Sequence, residues 1–305
     1  MFPDVLWYIR RMKGDFAHIN NSHGHALKNR KTLVVAIIPS TSDRTESRNV
    51  IRQSWASPKA SAAILKNIVI TLFLIGSSSV TELRRLTQEQ KQYNDLIVTD
   101  MRDSYDNLVA KVYVLMKFYL DHCDHVKYLM KIDDDVVVHF DRLLKAFHWH
   151  RRNEEALFCK KWSDSIPRRN PNSKWFVPKE RYAYDLYPPY CDGSIYLMGR
   201  KAVQKILIEA RISDEFPMED VFYTGILASA AGVPRVGWWD QIIKLDEFEW
   251  NGEVICYQPG EPVTFAASTF RTNFKKIEAF NKLKRSFLCR YFPSKRALPN
   301  LFLGG

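Results

Sequence analysis

The chain has 305 residues, 46% of them hydrophobic and 26% charged, which is ample for one large core and excludes a disordered or disulfide-dependent miniature protein. Its formal net charge of +11 suits an anionic partner: a nucleotide, nucleic acid or a membrane surface. Clusters such as Arg10-Arg11-Met12-Lys13, Arg151-Arg152 and Lys275-Lys276 are scattered rather than massed, which counts against nucleic acid, and no apolar run is long enough to predict a membrane span.

Residues 1–30 read as a polar, disordered lead carrying one glycosylation sequon, Asn20-Asn21-Ser22. Thr32 to Ile38 predicts a first buried strand, followed by a turn-rich loop and a helix over Arg44 to Trp55. A strand running through a loop into a helix offers backbone N–H groups to a nucleotide. There is no glycine-rich phosphate loop. Asn67 to Ile75 is a second strand, Thr81 to Tyr93 a helix, Leu96 to Thr99 a short third strand, and Asp106 to Leu120 an amphipathic helix. This alternation predicts an α/β fold with a mostly parallel, doubly wound sheet. The second half differs. Residues 158–200 hold short strands, prolines and many aromatics, which suit either a sugar-facing surface or packing under long loops. Lys201–Ala210 and 221–231 read as helices, 233–265 as β-rich, and 271–305 as a basic tail. The cysteines, Cys123, Cys159, Cys191, Cys256 and Cys289, have no C-x-x-C spacing, so a structural zinc site is not expected. They are compatible with two disulfides and a leftover thiol, or with five thiols.

Two acidic elements carry the chemistry. In Tyr128 to Val138, an apolar strand runs into Asp133-Asp134-Asp135 and a second apolar stretch follows. Three adjacent carboxylates are costly to bury, but a strand end facing a cleft accommodates them if a cation is present. Hard carboxylate oxygens suit Mg²⁺ or Mn²⁺, held jointly with substrate phosphates. The alternative is a solvated acidic turn. Glu219-Asp220 stands between Pro217 and a predicted helix, where the pair either caps the helix or presents an ionised carboxylate as a base.

The order of these pieces resembles the inverting β-1,3-galactosyl/N-acetylglucosaminyltransferase family. The resemblance is carried by Arg48-Asn49-Val50-Ile51-Arg52-Gln53-Ser54-Trp55, by Asp103 to Lys111, and by Lys131-Ile132-Asp133-Asp134-Asp135. Lys174 to Pro178, Tyr187 to Tyr196 and Glu219-Asp220-Val221-Phe222-Tyr223-Thr224-Gly225 continue it, so that it covers about residues 32–265. It implies a GT-A nucleotide-sugar-binding fold over 31–270, with a UDP-sugar contacted by Arg48, Arg52, Asp106, Asn107, Lys111, Asp133 and Asp134. Mn²⁺ or Mg²⁺ would sit on Asp133 and Asp135. The acceptor side would be formed by Trp175, Tyr190, Gly193 and Glu219, with Asp220 as catalytic base. The implied reaction is transfer of galactose, GlcNAc or GalNAc to the 3-hydroxyl of a glycan on a glycoprotein or glycolipid, at the Golgi membrane, with no nucleic-acid partner. The sequence departs from the family in having no histidine after His150, where relatives often carry one near the position of Val263 to Ala266, and in showing no membrane anchor. Two other readings explain parts of the pattern. A metal-dependent phosphohydrolase or nucleotidyltransferase would account for the acidic triplet. A non-catalytic module for nucleic acid or acidic glycan would account for the charge.

Overall fold

Strands β1 (Val34–Ser40) and β2 (Val69–Gly76) are almost wholly apolar because both of their faces are covered. The computed structural model describes residues 31–76, 79–104, 107–147, 153–244, 250, 252–258, 261–285 and 289–291. Along β1, Val35 and Ile37 enter one core while Val34, Ala36 and Ile38 enter the other, as the two-residue strand period requires. Between β1 and β2 lie helices α1 (Thr45–Gln53) and α2 (Ala62–Leu65); α3 (Val80–Tyr93), β3 (Leu96–Thr99) and α4 (Leu108–His122) follow. Then come β4 (Tyr128–Ile132), β5 (Val137–Val138), α5 (Phe140–Phe147), β6 (Leu157–Trp162), β7 (Tyr190–Gly199) and α6 (Arg200–Ala210).

The central sheet has seven strands in the order β3-β2-β1-β4-β7-β6-β8, with β8 spanning Arg235–Gly237. The first four are mutually parallel; β7 runs antiparallel to both β4 and β6. The architecture is therefore the mixed α/β fold with a mainly parallel sheet that the alternation predicts. Its far half is turned by the antiparallel β7, which enters between β4 and β6 out of chain order. The face holding Val35 and Ile37 packs against α4, α6 and the segment around Val221–Leu227. The other face holds Ile51 of α1, Leu143 and Phe147 of α5, and Ala279, Phe280 and Leu283 of a last helix.

Residues 233–265 hold the expected short strands, and within the expected basic tail, 271–305, the described residues form a helix and a strand. Strand β9 (Ile242–Lys244) comes first, then β10 (Val254–Gln258), β11 (Glu261–Pro262) and β12 (Ala266–Ser268). Helix α7 (Asn273–Arg285) and β13 (Cys289–Tyr291) complete the described elements. β12 pairs with β5 and β9, next to the acidic triplet, and α7 packs on α1, β5 and β12. Lys275, Lys284 and Arg285 line the wet side of α7 while Lys276 is buried, and composition alone does not separate the two. The helix predicted over 221–231 is instead a π-helix, Asp220–Leu227, running into a short α-turn, Ala228–Ala230. π-helical segments are rare and frequently sit at functional sites. Cys159 and Cys191 are joined across β6 and β7, Cys256 is also disulfide-bonded, and Cys123 is a buried free thiol.

Candidate active site

β4 ends at Ile132, so Asp133 to Asp135 emerge at the carboxyl end of a central parallel strand, where open α/β sheets bind ligands. Lys131 and Asp133 are two residues apart and share a face, and their side chains pair at 2.6 Å. Lys131 is completely buried. Its Nζ also donates to the Gly193 carbonyl and, at 2.9 Å, to Glu219 Oε1. Burial opposes this charge, but Asp133 and Glu219 outweigh it and hold the lysine above its ordinary pKa. The neighbouring strand closes the group: the Asp133 amide donates to Ser194 O at 2.8 Å, which puts Gly193 against the triplet. Burial pushes the Asp133 carboxyl up to about 7 against the pull of Lys131.

The other two aspartates keep spare acceptor capacity. Asp134 Oδ1 accepts from Arg44, while Oδ2 is buried with no hydrogen-bond partner. The Asp135 carboxyl is raised by burial and by Asp134, and its only donor among the described residues is its own amide. Asp135 O accepts the Phe270 amide at 2.9 Å, just beyond Thr269, which sits at φ 81. A β-branched residue there is a strained exception. Among the described residues no three Asp, Glu, His or Cys side chains converge as a protein-only metal cage. An orphaned carboxylate oxygen beside a half-open carboxylate does fit a hard cation that completes its shell with phosphate oxygens. Lys276 of α7, also buried, donates to Ser47 Oγ at 2.6 Å and faces both Asp134 and Asp135 electrostatically.

The paired acids separate into two roles. Glu219 is buried and both of its oxygens are taken, by Lys131 and by Tyr196 Oη at 2.9 Å. As placed, it anchors the loop and does not reach for an acceptor. Asp220 is half-buried; Oδ1 accepts its own Val221 amide at 2.8 Å, and Oδ2 faces Gly193. A Cβ at position 193 would lie 3.1 Å from that oxygen, so the glycine creates the room in which Asp220 meets the triplet. Burial raises the Asp220 carboxyl above the usual aspartate range despite the Val221 amide. The environment thus makes Asp220 a better proton acceptor than the helix-end position alone predicts.

The residues expected around the nucleotide divide differently. Arg48 is fully buried, and its N–H donors go to Glu89 (2.8 and 2.7 Å), Ser40, Thr41 and Thr45. Arg52 forks onto Asp95, also meets Glu89 and Asn49, and lies over Tyr93 at 3.9 Å. Arg48 braces the end of β1 and the loop after it from behind, Arg52 ties α1 to Glu89 and Asp95, and neither presents a free fork to a ligand. Lys111 ties Ser40 O to Asp103, which in turn accepts the Gly76 amide at 3.0 Å, so it links the ends of β1 and β2. Asn107 Nδ2 holds Arg102 O at 2.8 Å. Asp106 lies outside the described residues. On the acceptor side, Tyr190 is half-buried, bonded to Ser165, with its pKa raised by burial and by nearby Asp220. Trp175 is half-exposed on the long loop between β6 and β7, and its one described side-chain neighbour of note is Lys174, 5.9 Å over its ring. Sequence reading did not assign roles to Lys131, Arg44, Tyr196 or Lys276. For Lys131 the signal was there, because strand alternation puts it beside Asp133. For the others the partners are too distant in the chain to be read.

A parallel α/β sheet ending in an aspartate triplet, faced across a glycine by a half-buried aspartate, agrees with what a family profile finds: residues 46–238 match the Galactosyltransferase family, and the chain belongs to it. Among curated relatives, Beta-1,3-galactosyltransferase 1 of Mus musculus is 29% identical over 220 residues, covering 72% of this chain and 66% of the relative. Beta-1,3-galactosyltransferase bre-2 of Caenorhabditis elegans is 29% identical over 211 residues, covering 66% and 58%. An acetylgalactosaminyl-O-glycosyl-glycoprotein beta-1,3-N-acetylglucosaminyltransferase of Mus musculus is 28% identical, covering 67% and 53%. The match therefore spans somewhat less than two thirds of these relatives' length. Of solved structures, the apo WbbM bifunctional glycosyltransferase aligns at 12% identity with a TM-score of 0.41, over 83% of this chain and 45% of that one, too distant to add to the argument.

Proposed function

We propose that the protein transfers a hexose from a UDP-sugar to the 3-hydroxyl of a glycan acceptor, with inversion, forming a β-1,3 linkage. One observation carries the reading: the half-buried Asp220, its second oxygen free of protein donors among the described residues, faces the acidic strand end across Gly193. The names of the relatives supply the linkage.

In this reading Asp220 takes the proton of the acceptor hydroxyl as its oxygen attacks the anomeric carbon. The bond from that carbon to the diphosphate breaks, and UDP departs with the electron pair. Attack opposite the leaving group turns an α-linked sugar nucleotide into a β-glycoside. Mn²⁺ or Mg²⁺, held by Asp135 and Asp133 with the diphosphate, would supply Lewis-acid stabilisation of the leaving charge. Asp135 is the more available ligand, since Lys131 already neutralises Asp133. Lys131 in turn fixes Asp133, the Gly193 carbonyl and Glu219 as one rigid unit, so the two acids and the strand end keep their spacing. Arg44, whose side chain is half exposed, offers its outer guanidinium edge to the diphosphate.

The natural setting of this reaction is the Golgi lumen, with the acceptor carried on a glycoprotein or glycolipid. The disulfides suit an oxidising compartment. No helix among the described residues is long and apolar enough to cross a membrane. The test is a screen of UDP-galactose, UDP-GlcNAc and UDP-GalNAc against a β-terminal acceptor array with Mn²⁺, run with wild type and Asp220→Asn. Asn keeps the Val221 contact but takes no proton, so turnover should drop by roughly a hundredfold or more while UDP binding persists. Wild-type turnover by Asp220→Asn removes Asp220 as the base.

A further inference from the structure

Beyond β7 the sheet ends in β6 and β8, and this edge carries an aromatic group that the acidic motifs do not explain. Trp162, the last residue of β6, pairs in register with Tyr190. Its indole Nε1 donates to Asp192 Oδ2 at 2.9 Å. Lys244, the last residue of β9, donates to the same oxygen at 2.6 Å and stands 5.6 Å over the Trp162 ring. Asp192 is almost fully buried, and its other oxygen takes the amide (3.1 Å) and hydroxyl of Ser194. Burial works against this carboxylate's charge, and Lys244, Ser194 and Trp162 overcome it. One buried carboxylate thus wires an indole and an ammonium into fixed positions directly beside Gly193. Asp220 and Tyr190 lie within electrostatic reach of the same ammonium.

Trp239 completes the group. Its ring meets Trp162 edge-on, with centroids 6.2 Å apart and planes at 85°. Trp238 before it is buried and stacks on Phe158 at 5.5 Å, which anchors the segment. Trp239 itself is 50% exposed, yet its indole is folded back over Gly237: a Cβ there would lie 3.0 Å from Nε1. An exposed tryptophan on a flexible loop is ordinary; one held down over a glycine and edge-on to a second tryptophan, whose lysine neighbour Lys244 lies within electrostatic reach of Asp220, is a prepared surface.

We propose that Trp239, Trp162 and Lys244 form the subsite that holds the pyranose ring of the acceptor, next to Asp220. This deepens, and rests on, the transferase reading above. The apolar C–H face of a sugar lies on an indole, and its hydroxyls need donors at the rim. Among the described residues Lys244 spends one of its three N–H groups on Asp192, leaving donors for hydroxyls. The exposed tryptophan singled out by the sequence, Trp175, has no comparable link to Asp220 among the described residues.

The test uses the full chain with UDP and Mn²⁺ and reads binding of the methyl β-glycosides of galactose, GlcNAc and GalNAc by saturation-transfer NMR, with UDP affinity measured calorimetrically in the same samples. Wild type should bind at least one glycoside. Trp239→Ala should weaken it by roughly tenfold or more, with UDP affinity unchanged. Gly237→Ala keeps every side chain of the subsite but crowds the indole, and should weaken the glycoside in the same direction, which covers the case in which Trp239→Ala misfolds. Trp175→Ala should leave it unchanged. Glycoside binding undiminished in Trp239→Ala or Gly237→Ala overturns the proposal, as does a wild type that binds UDP and none of the three glycosides. A wild type that fails to bind UDP at all strikes instead at the transferase reading.

Discussion

Removing the Lys131 ammonium tests whether the two acidic elements form one unit. In Lys131→Met, Asp133 stays partly exposed and can be hydrated, and the Gly193 carbonyl loses one donor. Glu219 is the group that suffers: it is 5% exposed and would keep Tyr196 Oη alone as a partner. Leaving one member of a buried ion pair uncompensated costs about 3–5 kcal/mol. The carboxyl can escape by taking a proton. From an ordinary glutamate pKa of about 4.3, that costs about 3.7 kcal/mol at pH 7, which caps the loss. For a domain of this size the shift in Tm is about 7–15 °C, read by calorimetry or circular dichroism. The sign with pH follows from the same proton. A folded-state pKa raised above the unfolded one favours the folded form at low pH, so the cap shrinks to about 1.6 kcal/mol at pH 5.5. Burial already raises the Glu219 carboxyl in the wild type. In Lys131→Met/Glu219→Gln neither charge remains and the introduced amide still meets Tyr196, so the double variant should melt well above Lys131→Met. If Lys131→Met melts like wild type, or the double variant is no more stable than the single one, the pair does not hold the site together.

Gly193→Ala places a methyl 3.1 Å from Asp220 Oδ2 and must push that carboxylate aside by a few tenths of an ångström. Turnover should fall roughly ten- to a hundredfold with UDP affinity and Tm near wild type, and full activity would show that Asp220 tolerates displacement. Asp135→Ala should lose metal-dependent UDP binding, measured by calorimetry with Mn²⁺, and match wild type in EDTA. Retained metal-dependent binding moves the ligand role to another aspartate. Cys159→Ser/Cys191→Ser opens a loop closed by a sequence separation of 32, worth about 3–4 kcal/mol of chain entropy, so its Tm should drop by about 7–15 °C. A reductant should lower the wild-type Tm in the same direction and leave this variant less affected.

Much of the fold was legible because its signals are local. Both faces of β1, β2 and β4 are covered, so each reads as an unbroken apolar run, and the helices between them carry their own periodicity. The acidic triplet at the end of β4 and the Glu219-Asp220 pair were visible as charges that an apolar context makes expensive. Arg48 and Arg52 were visible too, but as cations on a helix after a strand, which is also how nucleotide-binding arginines look. Only Glu89 and Asp95, about forty residues away, show that these two face inward.

What the sequence by itself determined, then, is the set of elements, their class and the acidic residue types gathered at the candidate site. The tertiary structure decided which of those residues meet. Antiparallel β7 enters between β4 and β6, and that single crossing carries Asp192, Gly193 and Tyr196 to the acidic strand end, where Lys131, Glu219 and Asp220 gather. Distant pairing of this kind leaves no local trace, because a side chain's partner is set by strand order and register, whereas propensity and periodicity act over a few neighbours. The same crossing separates Glu219 from Asp220. Adjacent in the chain and alike in chemistry, one is buried with both oxygens spoken for and the other is left half-open beside a glycine.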